Sequence, residues 1–233
     1  MVRAFVHHPR KNIVLDKLEP HDIQLMKKEG GRLTSVINPE SFTNQLQKHR
    51  LVAAIKDPKN LEKAVKYKDN IGAVILMTGT ILTAKKFVDY LQSNGLPVLL
   101  HVERIGGLQM DHDGVEFIKR YMKPAGIVTT KSGIVKRAKE KGLFVIQRVF
   151  LIDTDMYLNL EKGLTHNASD MFEVMPSRVP EYISRLTGVS DKPIITGGLL
   201  SSLTHAKSAF DHGATAVSTS NTEIWKTNMN NLL

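Results

Sequence analysis

The chain has 233 residues, 42% of them hydrophobic, which suits one large domain with a real core or two small ones. It has no cysteine, which excludes a disulfide framework, a thiolate metal site and a cysteine nucleophile. A formal charge of +9 favours a polyanionic partner; no apolar run is long enough to span a membrane and the charged N-terminus lacks a signal core, so a cytoplasmic protein is expected.

Residues 1–33 carry His7, His8, Arg10, Lys11, Lys27, Lys28 and Arg32 with weak periodicity, and are expected to form a loosely ordered extension to a single domain over 34–233. Adjacent histidines lack the i, i+4 spacing of a helical metal pair, so no metal site is assigned. Asn38-Pro39 reads as the N-cap and first residue of a helix, and Asp57-Pro58 as a second such start. Eight apolar runs read as buried parallel strands: 51–55, 72–77, 97–102, 125–129, 143–150, 170–175, 193–196 and 214–218. Helical patterns separate them, and Gly95, Gly142 and Gly213 fall where a left-handed residue ends a helix. Eight alternating units predict an α/β fold, a compact (β/α)8 TIM-like barrel, over an open flavodoxin-like sheet. No Gly-x-Gly-x-x-Gly follows the first strand, which argues against a dinucleotide site.

Barrel chemistry gathers at the C-terminal strand ends, with phosphate sites after strands 7 and 8. Gly197-Gly198 and Ser218-Thr219-Ser220 stand at those two ends, and Ser220 with Glu223 fits a capping box at a helix start that would favour an anion. Lys131 and Arg148 could neutralise a phosphate, with Ser132 donating from the start of the helix after strand 4. Replacing either cation by Ala is expected to remove binding and spare the fold. Glu173, inside an apolar strand, could pair with Arg148 or accept from a polyol; His101 and Glu103, two apart, could do the latter or act as acid and base. Lys59, Lys63 and Lys66 recur at helical spacing, and Lys136 and Arg137 begin a second basic cluster with Lys139 and Lys141. These are candidate RNA contacts, although solvated helix faces would look the same.

Several stretches resemble the glycerol uptake operon antiterminator regulatory family: LMTGTI at 76–81, HVERIGGL at 101–108, TKS at 130–132, QRVFLID at 147–153, FEVMP at 172–176, ITGGL at 195–199 and AVSTSNTEIW at 216–225. The resemblance implies a barrel that responds to glycerol 3-phosphate as effector, with no other cofactor and no catalysis. It also implies binding to leader mRNA of glycerol-utilisation genes and read-through of a terminator, with a homodimer left open. By that carry-over Lys131, Ser132, Arg148, Gly197, Gly198, Ser218 and Thr219 surround the phosphate and Glu173 sits in the pocket. The strand 3 motif departs from the family pattern at Glu103, Arg104 and Gly106, and Thr80 stands where an acid is common, so the rim is more basic and a different ligand is left open. The competing reading is a barrel isomerase, aldolase or synthase acting on a phosphorylated three-carbon substrate, with Glu173 as base and Lys131 as Schiff-base nucleophile.

Overall fold

The computed structural model describes residues 39–164 and 166–233, so the extension expected over 1–33 and the cap expected at Asn38 lie outside the described residues. The fold is a closed barrel of eight parallel strands in sequence order, β1 Leu51–Ile55, β2 Ala73–Leu76, β3 Val98–His101, β4 Gly126–Thr129, β5 Val145–Phe150, β6 Met171–Met175, β7 Ile194–Gly197 and β8 Ala216–Thr219. All eight lie within the apolar runs read from the sequence, apart from the last residues of β7 and β8. Pro97 and Pro193 precede strands rather than sit in them, and their carbonyls accept from Val74 and Phe172 on neighbouring strands. A proline has no N–H to give to a ladder, so its place is at the strand's edge.

Helix α1 (Pro39–His49) precedes the barrel, and α2 Leu61–Lys66, α3 Ala84–Ser93, α4 His112–Phe117, α5 Ser132–Glu140, α6 Thr154–Gly163, α7 Pro180–Val189 and α8 Leu203–Asp211 connect successive strands. The Asp57 side chain accepts from Lys59 N at 3.0 Å with Pro58 next, as the sequence suggests, but it opens a 3₁₀ turn (Pro58–Asn60) from which α2 continues. Gly95, Gly142 and Gly213 adopt φ of 86°, 74° and 92°. Each ends a helix in the left-handed region, where a Cβ would be strained.

Alternation along each strand divides the core. Tyr157, Leu160 and Leu186 of α6 and α7 cover outward-facing Val149, Phe172, Val174 and Ile194. Inside the ring, Val52, Ala73, Ile75, Leu99, Val128, Ile146, Met171, Ile195 and Ala216 form one apolar cluster that includes Phe42 and Leu46 of α1. Ala73, Met171 and Ala216 open their strands, so α1 plugs the N-terminal end of the barrel. Phe42 meets the Phe144 ring edge-on, with centroids 4.9 Å apart. Beyond β8 the chain makes the 3₁₀ turns Ile224–Lys226 and Met229–Leu232. Fully buried Trp225 anchors this tail by donating from Nε1 to the Thr219 carbonyl at 2.9 Å. Asn230 Nδ2 ties it to the Lys48 carbonyl of α1 at 2.7 Å. With its lower end plugged, the barrel's opening lies at the C-terminal strand ends.

Candidate functional site

A cavity of about 1050 Å³ opens at that C-terminal end. Its wall runs from Lys56 after β1 through Ser218–Asn221 after β8, Gly198–Ser201 after β7, and Arg178 and Met175 of the β6 end, to Arg148 of β5, with Arg104 and Met77 from the β3 and β2 side. Among the described residues no carboxylate lines it.

Arg148 and Glu173 are register partners on β5 and β6, and their side chains are 3% and 0% exposed. Arg148 Nε donates to Glu173 Oε2 at 2.6 Å, and Ser218 Oγ donates to Glu173 Oε1. Both carboxylate oxygens are therefore engaged. Burying two charges is tolerable only with such pairing, so the Arg–Glu option raised by the sequence is the one realised. The arginine is not fully used. Its Nη1 lies 4.0 Å from Met77 Sδ, and its Nη2 is buried with no hydrogen-bond partner while the residue lines the cavity. A buried unpaired N–H is unfavourable by about 1–3 kcal/mol, more for a charged group, and an acceptor entering the cavity would recover that. Because removing Arg148 would strand a buried carboxylate, the expectation that Arg148→Ala spares the fold is corrected.

Gly197 holds this chain together by what it lacks. On β7, between Glu173 and Ser218, it leaves the gap through which the serine hydroxyl reaches the carboxylate; a Cβ there would stand 1.9 Å from Ser218 Oγ. Gly198 has φ of 71° and lines the cavity itself, with its carbonyl accepting from Ser177 Oγ at 2.8 Å. The capping box expected from Ser220 and Glu223 does not form. Glu223 pairs with Lys226 at 2.6 Å, Asn221 Oδ1 accepts from Glu223 N at 3.0 Å, and the helix that follows is a three-residue 3₁₀ turn without a useful dipole. Ser218, Thr219 and Ser220 nevertheless line the cavity. Ser218 is held by Glu173 and Thr219 by Trp225, not by a cap.

The β3–β4 side is built differently. The strand ends at His101, and a 3₁₀ turn (Val102–Arg104) carries Glu103 across to β4, so the strand alternation expected for the pair does not apply. Glu103 Oε1 accepts from Thr129 Oγ1 and from Thr130 N at 3.2 Å, while Oε2 lies 3.1 Å from His101 Nδ1 without hydrogen-bond alignment. Partial burial alone would raise the Glu103 carboxyl, but the contacts from His101 and Thr129 outweigh it and hold the group at about 2. Neither His101 nor Glu103 lines the cavity; the pair fastens β3 to β4. Just after the turn Gly106 forms a backbone bridge with Thr80, so two of the positions that depart from the family pattern meet each other two residues beyond Arg104.

Lys131 and Ser132 stand exposed where α5 begins, outside the cavity lining. The sequence reading placed them by strand-end position, yet the β4 end is occupied by Glu103. Lys56 and Arg178 were not anticipated. Lys56 continues the inward alternation of Val52 and Ala54, a signal that was available. Arg178 follows the β6 end and donates from Nη1 to His205 Nε2 at 2.7 Å, which no local pattern announces. The basic clusters are exposed but separate: Lys63 and Lys66 lie on α2, and Lys59 on the 3₁₀ turn before it. Lys136 and Arg137 lie on α5, three helices further round. Within the second cluster Lys139 is held by Asp170 at 2.7 Å and Lys141 by Glu116 at 3.4 Å. Among the described residues no cluster of His, Asp or Glu could hold a metal, and no helix is long and apolar enough to cross a membrane.

Comparison with known proteins agrees with this architecture. A family model described as glycerol-3-phosphate responsive antiterminator matches residues 51–225. The chain superposes on the crystal structure of a glycerol uptake operon antiterminator regulatory protein from Listeria monocytogenes with a TM-score of 0.71 and 28% identity, over 76% of this chain and 94% of that one. A glycerol uptake operon antiterminator-related protein from Thermotoga maritima, at 24% identity, shares the fold with a TM-score of 0.67 over 76% of this chain and 98% of its own. The uncharacterized protein YgcP of Escherichia coli K12 is 28% identical over 180 residues, 77% of this chain and 93% of that protein.

Proposed function

The chain belongs to the glycerol-3-phosphate responsive antiterminator family, and from that premise we propose that it is a ligand-gated RNA regulator rather than an enzyme. In this reading the C-terminal mouth of the barrel binds a small phosphorylated effector, and the occupied protein binds leader mRNA in the cytoplasm and lets transcription pass a terminator. The observation that carries the effector site is Arg148, which lines the cavity together with Gly198 and Ser218–Ser220 and whose Nη2 is buried without a hydrogen-bond partner. A phosphate oxygen on that donor would accept a charge-assisted hydrogen bond. The regulatory rather than catalytic reading is supported by the two carboxylates near the mouth. Glu173 accepts from Arg148 and Ser218, and Glu103 accepts from Thr129 and Thr130 outside the cavity lining, so each already serves a structural partner. The exposed lysines of α2, Lys63 and Lys66, with Lys59 before them, and Lys136 and Arg137 of α5, supply candidate phosphate contacts for RNA.

The effector can favour the RNA-competent state only through different affinity for the two conformations. The test is RNA affinity measured with and without glycerol 3-phosphate at fixed salt. Tighter binding with the compound, and recovery of the compound unchanged, is the expected result; equal affinities, or turnover, would sink the proposal. Charge reversal at Lys63 and Lys66 should weaken RNA binding uniformly across sequences and flatten its salt dependence by about 0.7 per lost single-strand contact.

A further inference from the structure

The buried pair in the cavity wall brings no net charge, because Arg148 is balanced by Glu173. A phosphate monoester carries about −1.5 to −2 at neutral pH, so it calls for a cation that has no carboxylate of its own. Four cations line the cavity, Lys56, Arg104, Arg148 and Arg178, and among the described residues only Arg148 has a carboxylate partner.

Arg178 differs from Lys56 and Arg104 in how it is fixed. It follows Ser177, whose N and Oγ both donate to the Gly198 carbonyl, at 3.1 and 2.8 Å, so the backbone that carries it is fastened to the loop after β7. Its Nη1 donates to His205 Nε2 at 2.7 Å, and His205 stands in the first turn of α8 with its N–H directed to Ser202 Oγ at 3.4 Å. Among the described residues no side-chain hydrogen bond holds Lys56 or Arg104. The place of Arg178 in the ring suits a single anion. Strands β5 to β8 are successive neighbours, and Arg148, Arg178, Gly198 and Ser218–Ser220 stand on or after them in that order. Arg178 thus belongs to the same arc of the wall as the loops read as the phosphate seat.

The imidazole sets how the arginine is held. A neutral imidazole has a single acceptor nitrogen and a guanidinium only donates, so the contact to Arg178 makes that acceptor Nε2. Nδ1 then carries the proton, with Ser201 Oγ 3.4 Å away to accept it, and the Ser201 N–H at 3.3 Å finds no acceptor on the ring. One guanidinium N–H goes to His205 and the others remain for a ligand. An arginine free in solvent loses rotamer freedom when a ligand fixes it, which weakens binding about three- to tenfold; a partner that fixes it beforehand removes that loss.

We infer that Arg178 supplies the uncompensated positive charge for the effector's phosphate, and that His205 is the positioning residue that holds its guanidinium at the cavity wall. The inference rests on the phosphate-pocket reading above and adds to it a cation that the reading does not use.

The test is calorimetric titration of the full chain with glycerol 3-phosphate at one pH and ionic strength. Arg178 is exposed and His205 half-buried, so variants at both should fold as the parent does, which a melting curve checks. Arg178→Met should weaken binding about tenfold or more, the loss expected for a hydrogen bond to a charged group. His205→Leu should weaken it about three- to tenfold, while His205→Gln, whose Oε1 can accept from the guanidinium, should stay within about twofold of the parent. In the Arg178→Met background His205→Leu should add nothing, because the histidine acts through the arginine. If Arg178→Met binds within about twofold of the parent, the arginine is a solvent side chain, and the inference is overturned while the pocket stands. If His205→Gln is as weak as His205→Leu, or if the loss from His205→Leu persists without the arginine, the positioning role is overturned. If the parent does not bind glycerol 3-phosphate, the pocket reading itself falls and this inference with it.

Discussion

Glu173 and Glu103 stand at the same end of one barrel and do opposite work. Glu173 is fully buried and pairs with a buried arginine that lines the cavity and whose Nη2 has no hydrogen-bond partner. Glu103 keeps a fifth of its side chain exposed and draws His101, Thr129 and Thr130 together away from the cavity. A carboxylate at a strand end is therefore not a functional signal in itself. What distinguishes the two is where the partner stands: Arg148 lines the cavity and His101 does not.

The contrast can be broken most sharply at Glu173. Glu173→Ala should lower unfolding free energy by about 3–5 kcal/mol, because it strands Arg148 as an uncompensated buried charge. Urea denaturation reads this; a loss below 1 kcal/mol would mean that the pair is hydrated and not buried. Gly197→Ala comes next. Its Cβ would stand 1.9 Å from Ser218 Oγ and 2.8 Å from the Ser218 carbonyl oxygen, so the serine must leave Glu173 or the backbone must move. Such overpacking should cost about 1–3 kcal/mol, with partial rescue by Ser218→Gly. Gly197→Ala with unchanged stability would show that the gap is not needed.

Glu103→Gln should be milder, at most about 1 kcal/mol once solvent screening of a partly exposed group is counted. Its signature is in the pH dependence. The folded carboxyl is held at about 2 against an ordinary 4.5, so its contribution is complete above about 4.5 and fades as the pH falls towards 2. Parent and variant stability curves should converge across that window; a gap that stays constant to pH 2 would deny the linkage. Smallest of all, Lys131→Ala should leave glycerol 3-phosphate affinity within about twofold, since its charge lies outside the cavity and is exposed to screening. A tenfold loss would return Lys131 to the site.

The strands were legible because burial on both faces forces unbroken apolar runs, and the three helix-ending glycines because only they take positive φ freely. The loops after β7 and β8 were legible for the same steric reason at Gly198, though Gly197 proves to clear space for a hydroxyl and not for a ligand. Arg148 and Glu173 could be named from the sequence but not ranked, because a charge in an apolar strand declares a partner without saying who it is. Lys131 was misplaced: whether a strand-end residue turns inward depends on what already occupies that end, here Glu103 arriving from another strand. Arg178 and the α1 plug depend on contacts remote in sequence, which no local pattern encodes.

The barrel closes where β1 meets β8, with Val52 opposite Ser218 and Ala53 opposite Thr219. The last strand to be synthesised is thus the one that supplies the hydroxyl on Glu173 and part of the cavity wall. Pairing residues so far apart in the chain carries a large loop-closure entropy. Until that seam is made, the chain has most of its hydrophobic layers but no binding mouth. If the mouth holds the proposed effector, a chain cut before β8 lacks the wall that would hold it, and only the finished ring can answer.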